Sequence, residues 1–228
     1  MLNAVEALTR LREGNRRFVA GQSSAALSSS ARREELVSGQ EPFAIILGCS
    51  DSRVPAELVF DQSFGDLFVI RVAGNIVAPS QVGSVEFAAS RCGTRLVVVM
   101  GHTQCGAILA TLEELQGTAT NQSKNLRSIV DRVRPSVEPL LSGRRTQDVD
   151  SLVRDAVRAN VRTSVDHLRH GSDLLEKLIQ ETGLLVVGAE YSLETGEVDF
   201  FENVPAGPQQ SLFGTVSVGV ESPRRRVP

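Results

Sequence analysis

No apolar run in this chain approaches the roughly 20 residues that a membrane-spanning helix needs, so no membrane partner is expected. Basic residues are not in excess either: 24 Lys and Arg stand against 27 Asp and Glu, for a formal net charge of −3 and a pI of about 5.7. A nucleic-acid partner calls for a concentrated basic face, and none is expected here. Cysteine is scarce and odd in number, with only Cys49, Cys92 and Cys105, which makes a disulfide framework the poorest account of them. No CxxC pair exists, so a thiol-redox protein is disfavoured as well. The opening stretch, MLNAVEALTRLREGNRRF, breaks its apolar residues with charge and has no export-signal core. The expected compartment is therefore the cytoplasm, where thiols stay reduced. No internal repeat is visible.

What is present is the composition of a globular enzyme-sized chain, with 41% hydrophobic and 22% charged residues over 228 positions. That length buries enough surface for a core without covalent staples. Residues 3–20 carry Val5, Leu8, Leu11, Phe18 and Val19 at helical spacing. The Ser-rich stretch from Gly21 to Ala31 then reads as a linker, so this first helix is expected to be an arm packing away from its own core. Four short apolar runs follow: FAIILG (43–48), DLFVIRV (66–72), RLVVVMG (95–101) and GLLVVGAEY (183–191). Their near-continuous hydrophobicity fits strands covered on both faces. Helical patterns lie between them, at 82–92, from Gln104 onward, and over 147–181. Alternation of this kind predicts an α/β fold: a mostly parallel central sheet flanked by helices, with the N-terminal helical arm. SLETGEVDFF (192–201) reads as a turn at Glu194–Gly196 feeding an antiparallel edge strand. The expected division is an arm and linker over 1–31, a catalytic α/β domain over 32–203, and a tail over 204–228, rich in Pro, Gly and Ser.

Two strands end in residues that can do chemistry. FAIILG runs into Cys49 and RLVVVMG into His102, and the carboxyl ends of strands in an open parallel sheet form its binding crevice. Cys105 falls in the first turn of the next helix, where the helix dipole favours a thiolate. Gly101 and Gly106 leave room for close approach. Two thiolates and an imidazole suit zinc far better than magnesium or calcium. The remaining candidates for a fourth ligand, Cys92 and the pair His167 and His170, are not plausible ones, and three protein ligands with one open position is the catalytic zinc pattern. The competing reading is a buried His and buried thiols with no function, and HxxC alone favours it. The charges of CSDSR (49–53) weigh on the other side. Ser-Asp-Ser before Pro55 is also an ordinary turn or helix start. Asp51, however, sits two residues from a proposed ligand, and Arg53 can form a paired fork with it. Asp51 has two options: to bind the metal and block it, or to accept a hydrogen bond from metal-bound water. Arg53 favours the second.

CSDSR followed by GHTQCGA, together with EGNRRFVAG (13–21), LFVIRVAGN and EYSLETGEV, resembles the β-class carbonic anhydrases over most of the chain. The resemblance implies one Zn2+ per chain on Cys49, His102 and Cys105, with Asp51 and Arg53 as the dyad beside it. It implies a homodimer or dimer of dimers. The implied activity is reversible hydration of CO2 to bicarbonate and a proton, by attack of zinc-bound hydroxide on CO2. Gln40 matches a glutamine that reaches the site across the dimer in plant-type members. Phe68 and Val72 match apolar pocket positions, and Gly106 is counted with the pocket. Phe87 stands where plant-type members tend to have tyrosine, so a hydroxyl role is lost. Arg71 and Tyr191 match two of the three residues of a second bicarbonate site found in some bacterial members, but Ile46 replaces its Trp. The site is at most vestigial, and weak or absent bicarbonate inhibition by that route is expected. His167 and His170, near a helix end, read as solvated capping residues, Cys92 as a spare thiol, and Arg224–Arg226 as a solvated charge run. Two alternatives remain beside CO2 hydration: a sulfur analogue such as carbon disulfide as substrate, and a non-catalytic zinc module, to which Asp51 and Arg53 would be superfluous.

Overall fold

The computed structural model describes residues 2–23, 29–117, 123–141 and 148–205. Helix α1 (Ala4–Val19) is started by a capping box: the Asn3 side chain accepts from the amides of Val5 and Glu6, and Glu6 accepts from the Asn3 amide. After it come α2 (Ser30–Glu35), β1 (Ala44–Gly48), α3 (Ala56–Val59), β2 (Leu67–Arg71), α4 (Pro79–Arg91), β3 (Leu96–His102) and α5 (Gly106–Leu115). The chain continues through α6 (Lys124–Leu141), α7 (Val149–His170), α8 (Asp173–Thr182), β4 (Leu185–Tyr191) and β5 (Val198–Glu202). The five strands form one sheet in the order β2-β1-β3-β4-β5, parallel throughout except for the β4–β5 edge pair. This is the expected α/β architecture, antiparallel edge included.

Burial follows from the sequence of the two central strands. Every residue of β1 and β3 is buried, because β-branched and aliphatic side chains at successive positions need apolar cover on both faces. Ala44 and Ile46 of β1, with Leu96, Val98 and Met100 of β3, face one layer; Ile45, Leu47, Val97 and Val99 face the other. The second layer is made by α4, α7 and α8, through Val85, Ala88, Val161, Val165, Leu168 and Leu175. Strand β3 meets α7 closely: a Cβ on Gly101 would lie 2.7 Å from a methyl of Val161, so only glycine lets α7 settle at that depth.

The first layer contains α1, and this corrects the expectation of an arm lying away from its own core. Ala4, Ala7, Leu8 and Leu11 are buried with Val98 and Met100 of the same chain, while Val5 and Val19 face outward. At Gly14 the helix lies so near the C-terminal end of α3 that a Cβ would fall 1.8 Å from the Phe60 carbonyl oxygen. The buried Asn15 side chain donates to the carbonyls of Val59 and Gly196 and accepts from the Val198 amide, stitching α1 to the β4–β5 turn. Two further departures have local causes. The pattern over 147–181 is two helices, divided where the chain turns at Gly171 and Ser172, with Ser172 capping α8 through the Leu175 amide. Helix α6, not anticipated, runs through Pro135 and Pro139. Both prolines face solvent while Val133 and Val137 pack inward, so burial of that stripe outweighs the lost amide donors. Part of the supposed linker forms α2, and nearly all of the C-terminal tail, with Arg224–Arg226, lies outside the described residues.

Docking of α1 on its own sheet is testable by truncating its most buried side chain. Leu11→Ala is expected to lower the urea unfolding free energy by about 3 kcal/mol. A loss below about 1 kcal/mol would show that α1 is not part of this core.

Candidate metal centre

The carboxyl ends of the two central strands carry the site. Cys49 follows β1 directly, His102 is the last residue of β3, and Cys105 is the N-cap of α5. All three are buried, and their donor atoms lie within 4.8 Å of one another, the only such His/Cys/Asp/Glu group found among the described residues. The two sulfurs are 4.0 Å apart and all three cysteines are free. Four-coordinate zinc with Zn–S bonds near 2.3 Å separates two sulfurs by about 3.8 Å, so this pair already has nearly the right span.

His102 and Cys49 are oriented from behind. The Nδ1 of His102 lies 2.8 Å from the Thr103 carbonyl oxygen. A carbonyl only accepts, so the proton sits on Nδ1 and the Nε2 lone pair is presented to the sulfurs. That Nε2 is fully buried and has no hydrogen-bond partner of normal geometry. A buried orphan nitrogen costs about 1–3 kcal/mol, and a cation between it and the sulfurs removes the deficit. The residues therefore fit a thiophilic divalent ion. Cys49 is held by the Gly74 amide, which donates to its sulfur at 3.4 Å. Gly74 and Thr103 escape notice in the sequence, where the only hint is the AGN turn after β2 and the two-residue gap between His102 and Cys105.

The ionisation of the pair is strongly coupled. Hydrogen bonding with Cys105 brings the Cys49 thiol down to about 4, against burial, with help from His102 and the Gly74 and Asp51 amides. The same sulfur contact, then burial, drives Cys105 far up. One thiol proton is thus readily lost and the second is kept until positive charge arrives. Burial pushes His102 down, but the neighbouring Cys49 sulfur outweighs it and leaves the ring above its ordinary value.

Asp51 and Arg53 meet as expected. Arg53 donates from Nε to Oδ1 at 2.9 Å and from Nη2 to Oδ2 at 2.8 Å, and its backbone amide donates to Oδ1 at 3.0 Å. This fork holds Asp51 well below the usual carboxylate range. Its Oδ2 stands 3.8 Å from His102 Nε2, beside the three donors yet engaged by Arg53. Arg71 donates to the carbonyl of Cys49 at 2.9 Å and to that of Asp51 at 2.5 Å, bracing the loop that carries ligand and carboxylate.

The remaining pocket candidates are dispersed. Val72 packs against the same apolar cluster as Cys49 and Cys105. Gly106 lines an apolar cavity of about 280 Å³ with Ala73, Ala107, Ala110, Ile129 and Val130. Phe68 and Phe87 pack against each other with tilted rings, centroids 6.2 Å apart, near the β2 edge, with Phe87 half exposed. Gln40 is exposed ahead of the opposite end of β1 from Cys49, so this chain does not bring it to its own metal centre. Tyr191 is buried on β4 in the cluster that includes Ile46, whereas Arg71 lies on β2, on the far side of β1 and β3. Cys92, His167 and His170 stand outside the donor group; both His are exposed in the last turn of α7.

The carbonic anhydrase family model matches residues 44–198. Carbonic anhydrase 2 of Mycobacterium tuberculosis is 40% identical over 194 residues, covering 85% of this chain and 91% of that protein. The carbonic anhydrase of Mycolicibacterium smegmatis is 38% identical over 197 residues, covering 86% and 93%. Among solved structures, the β-carbonic anhydrase CafA of Aspergillus fumigatus superposes with a TM-score of 0.68 at 26% identity, over 89% of this chain and 91% of that one. A tetrameric β-carbonic anhydrase of Sordaria macrospora shares the fold, with a TM-score of 0.66 at 22% identity over 86% and 97% of the two chains.

Removing the imidazole tests the donor set. His102→Ala, purified with zinc present, is expected to fall from about one zinc per chain to near zero while keeping its far-UV circular dichroism. Full zinc occupancy in that variant would place the ion elsewhere.

Proposed function

The chain belongs to the carbonic anhydrase family, in its β class, and on that premise we propose that it catalyses the reversible hydration of CO2 to bicarbonate and a proton, using one zinc ion per chain. The observation that carries this reading is the buried convergence of Cys49, His102 and Cys105 with an ionised carboxylate beside them that is not itself part of the donor group. These three residues would hold the metal. Zinc in such a three-ligand site supplies Lewis acidity and brings the ionisation of a coordinated water toward neutral pH.

The rest of the chemistry falls to the chain. Asp51 Oδ2 serves as a hydrogen-bond acceptor for the reacting water. Arg53 keeps that carboxylate charged and draws both its oxygens into one fork, so ligation by Asp51 would require giving up the pair. Asp51 therefore orients water rather than filling the open position. CO2 is small and apolar and gains more from a greasy wall than from charged anchors; Val72 and Gly106, beside the donors, supply that wall in this reading, while Phe68 and Phe87 keep to each other near the β2 edge. Burial of the donor group excludes bulk water, which strengthens the charge interactions inside it.

Gln40 completes the site only if a second copy presents it, which is one reason to read the working unit as a homodimer or a dimer of dimers. Arg71 acts as a brace for the Cys49–Asp51 loop rather than as a bicarbonate ligand, in keeping with Ile46 in place of the aromatic residue. A reducing cytoplasm would keep both thiols available to the metal. No described helix is long and apolar enough to cross a membrane.

Stopped-flow CO2 hydration with a pH-indicating dye tests the reading. The zinc-loaded wild type is expected to accelerate hydration, and Asp51→Asn, which keeps the shape but removes the charge, to lose about 100-fold or more. An unchanged rate in the variant would remove Asp51 from the reaction, and no acceleration by the wild type would remove the activity.

A further inference from the structure

The two residues between the ligands His102 and Cys105 are both tied to a single side chain that donates nothing to the metal. Glu194 lies in the β4–β5 turn, distant in sequence. Its Oε2 accepts from the Thr103 hydroxyl at 2.8 Å and its Oε1 from the Gln104 amide at 2.9 Å. The Thr103 hydroxyl in turn accepts from the Leu193 amide at 3.0 Å, and the Thr103 amide donates to the Tyr191 carbonyl at 3.0 Å. We propose that Glu194 is a positioning residue for the metal ligands, holding the Thr103–Gln104 link so that His102 Nε2 and Cys105 Sγ face the same ion.

Three observations carry it. The Thr103 carbonyl is the group that accepts from His102 Nδ1 and so sets the ring's tautomer and direction; fixing Thr103 fixes the imidazole. Gln104 has φ of +56°, a left-handed backbone that a non-glycine residue keeps only when its surroundings enforce it, and its Glu194 contact supplies that enforcement immediately before Cys105. The turn bearing Glu194 is itself rigid: Ser192 and Glu197 close it backbone to backbone, Ser192 Oγ donates to Glu194 Oε2, and Asn15 of α1 grips the Gly196 carbonyl and Val198 amide. The Thr103 hydroxyl, first among its donors, also holds the exposed Glu194 carboxyl below its usual range, so it stays a charged acceptor near neutral pH.

This inference rests on the reading of Cys49, His102 and Cys105 as zinc ligands, and the test separates the two. Zinc affinity of the metal-free full chain is measured by competition with a chromophoric chelator, and cobalt(II) loaded in place of zinc reports ligand geometry through its visible absorption. Glu194→Ala is expected to weaken zinc about tenfold and to alter the cobalt bands, with little change in the urea midpoint. Thr103→Val is expected to do the same, and the double variant to be little worse than either alone, since both break one linkage. Glu194→Gln, able to accept from only one of the two donors, is expected to fall between. Glu181→Ala, which removes an exposed carboxylate on α8, is the control and should match wild type. Wild-type zinc affinity and an unaltered cobalt spectrum in Glu194→Ala would overturn the inference, as would full additivity with Thr103→Val. Should Glu194→Ala not fold, Glu194→Gln and Thr103→Val decide by the same readouts. A wild type that binds no zinc would instead overturn the reading beneath it.

Discussion

Two sulfurs and a ring nitrogen have to share one small buried volume, and much of the structure answers to that requirement. Brought together without a cation, the group is unfavourable: one thiol holds its proton tenaciously, the other gives it up, and the buried imidazole Nε2 has no hydrogen-bond partner of normal geometry. Burying polar atoms unpaired works against folding. A divalent ion reverses each of these terms at once, by pairing with the thiolate, displacing the remaining proton and accepting the nitrogen lone pair. The site is therefore better understood as a metal centre with its backing in place than as core packing that happens to contain cysteine.

The fold meets the requirement with rigid parts. Cys49 and His102 extend the two central strands, which are covered on both faces and paired in register from Ile45–Val97 to Gly48–Met100. Cys105 begins the helix that leaves β3. The loop after β1 is pinned by Arg71, the Cys49 sulfur by the Gly74 amide, and Asp51 by Arg53. The carboxylate beside the donors is engaged by Arg53 rather than spent on the donor group, and in the proposed reaction that restraint would leave room for a water. A site open at one corner and closed elsewhere is what differentiates catalytic from structural zinc.

Much of this was legible in the residues. The strands announced themselves as β-branched runs, and their ends marked where chemistry could sit; Cys49, His102, Cys105, Asp51 and Arg53 all meet in the folded chain. What escaped were features set by tertiary contact. The apolar stripe of α1 says that the helix is amphipathic but not which surface it covers, and Gly14 against the Phe60 carbonyl is invisible until both are placed. No helix is anticipated over α6, because a sequence does not reveal that Pro135 and Pro139 face solvent while Val133 and Val137 pack inward. Glu194 looked like turn chemistry, since its hydrogen-bond partners lie some ninety positions away. Gln40 is the opposite case: its family position points to the site, but one chain alone keeps it at the other end of β1.

The most direct measurement of the central claim is zinc K-edge X-ray absorption on the metal-loaded protein near neutral pH. Two sulfur scatterers near 2.3 Å and two nitrogen or oxygen scatterers near 2.0–2.1 Å are predicted, with the same shell in Asp51→Asn because that carboxylate is not a ligand. A shell with fewer than two sulfurs, or one that loses a light atom in the variant, would contradict the account.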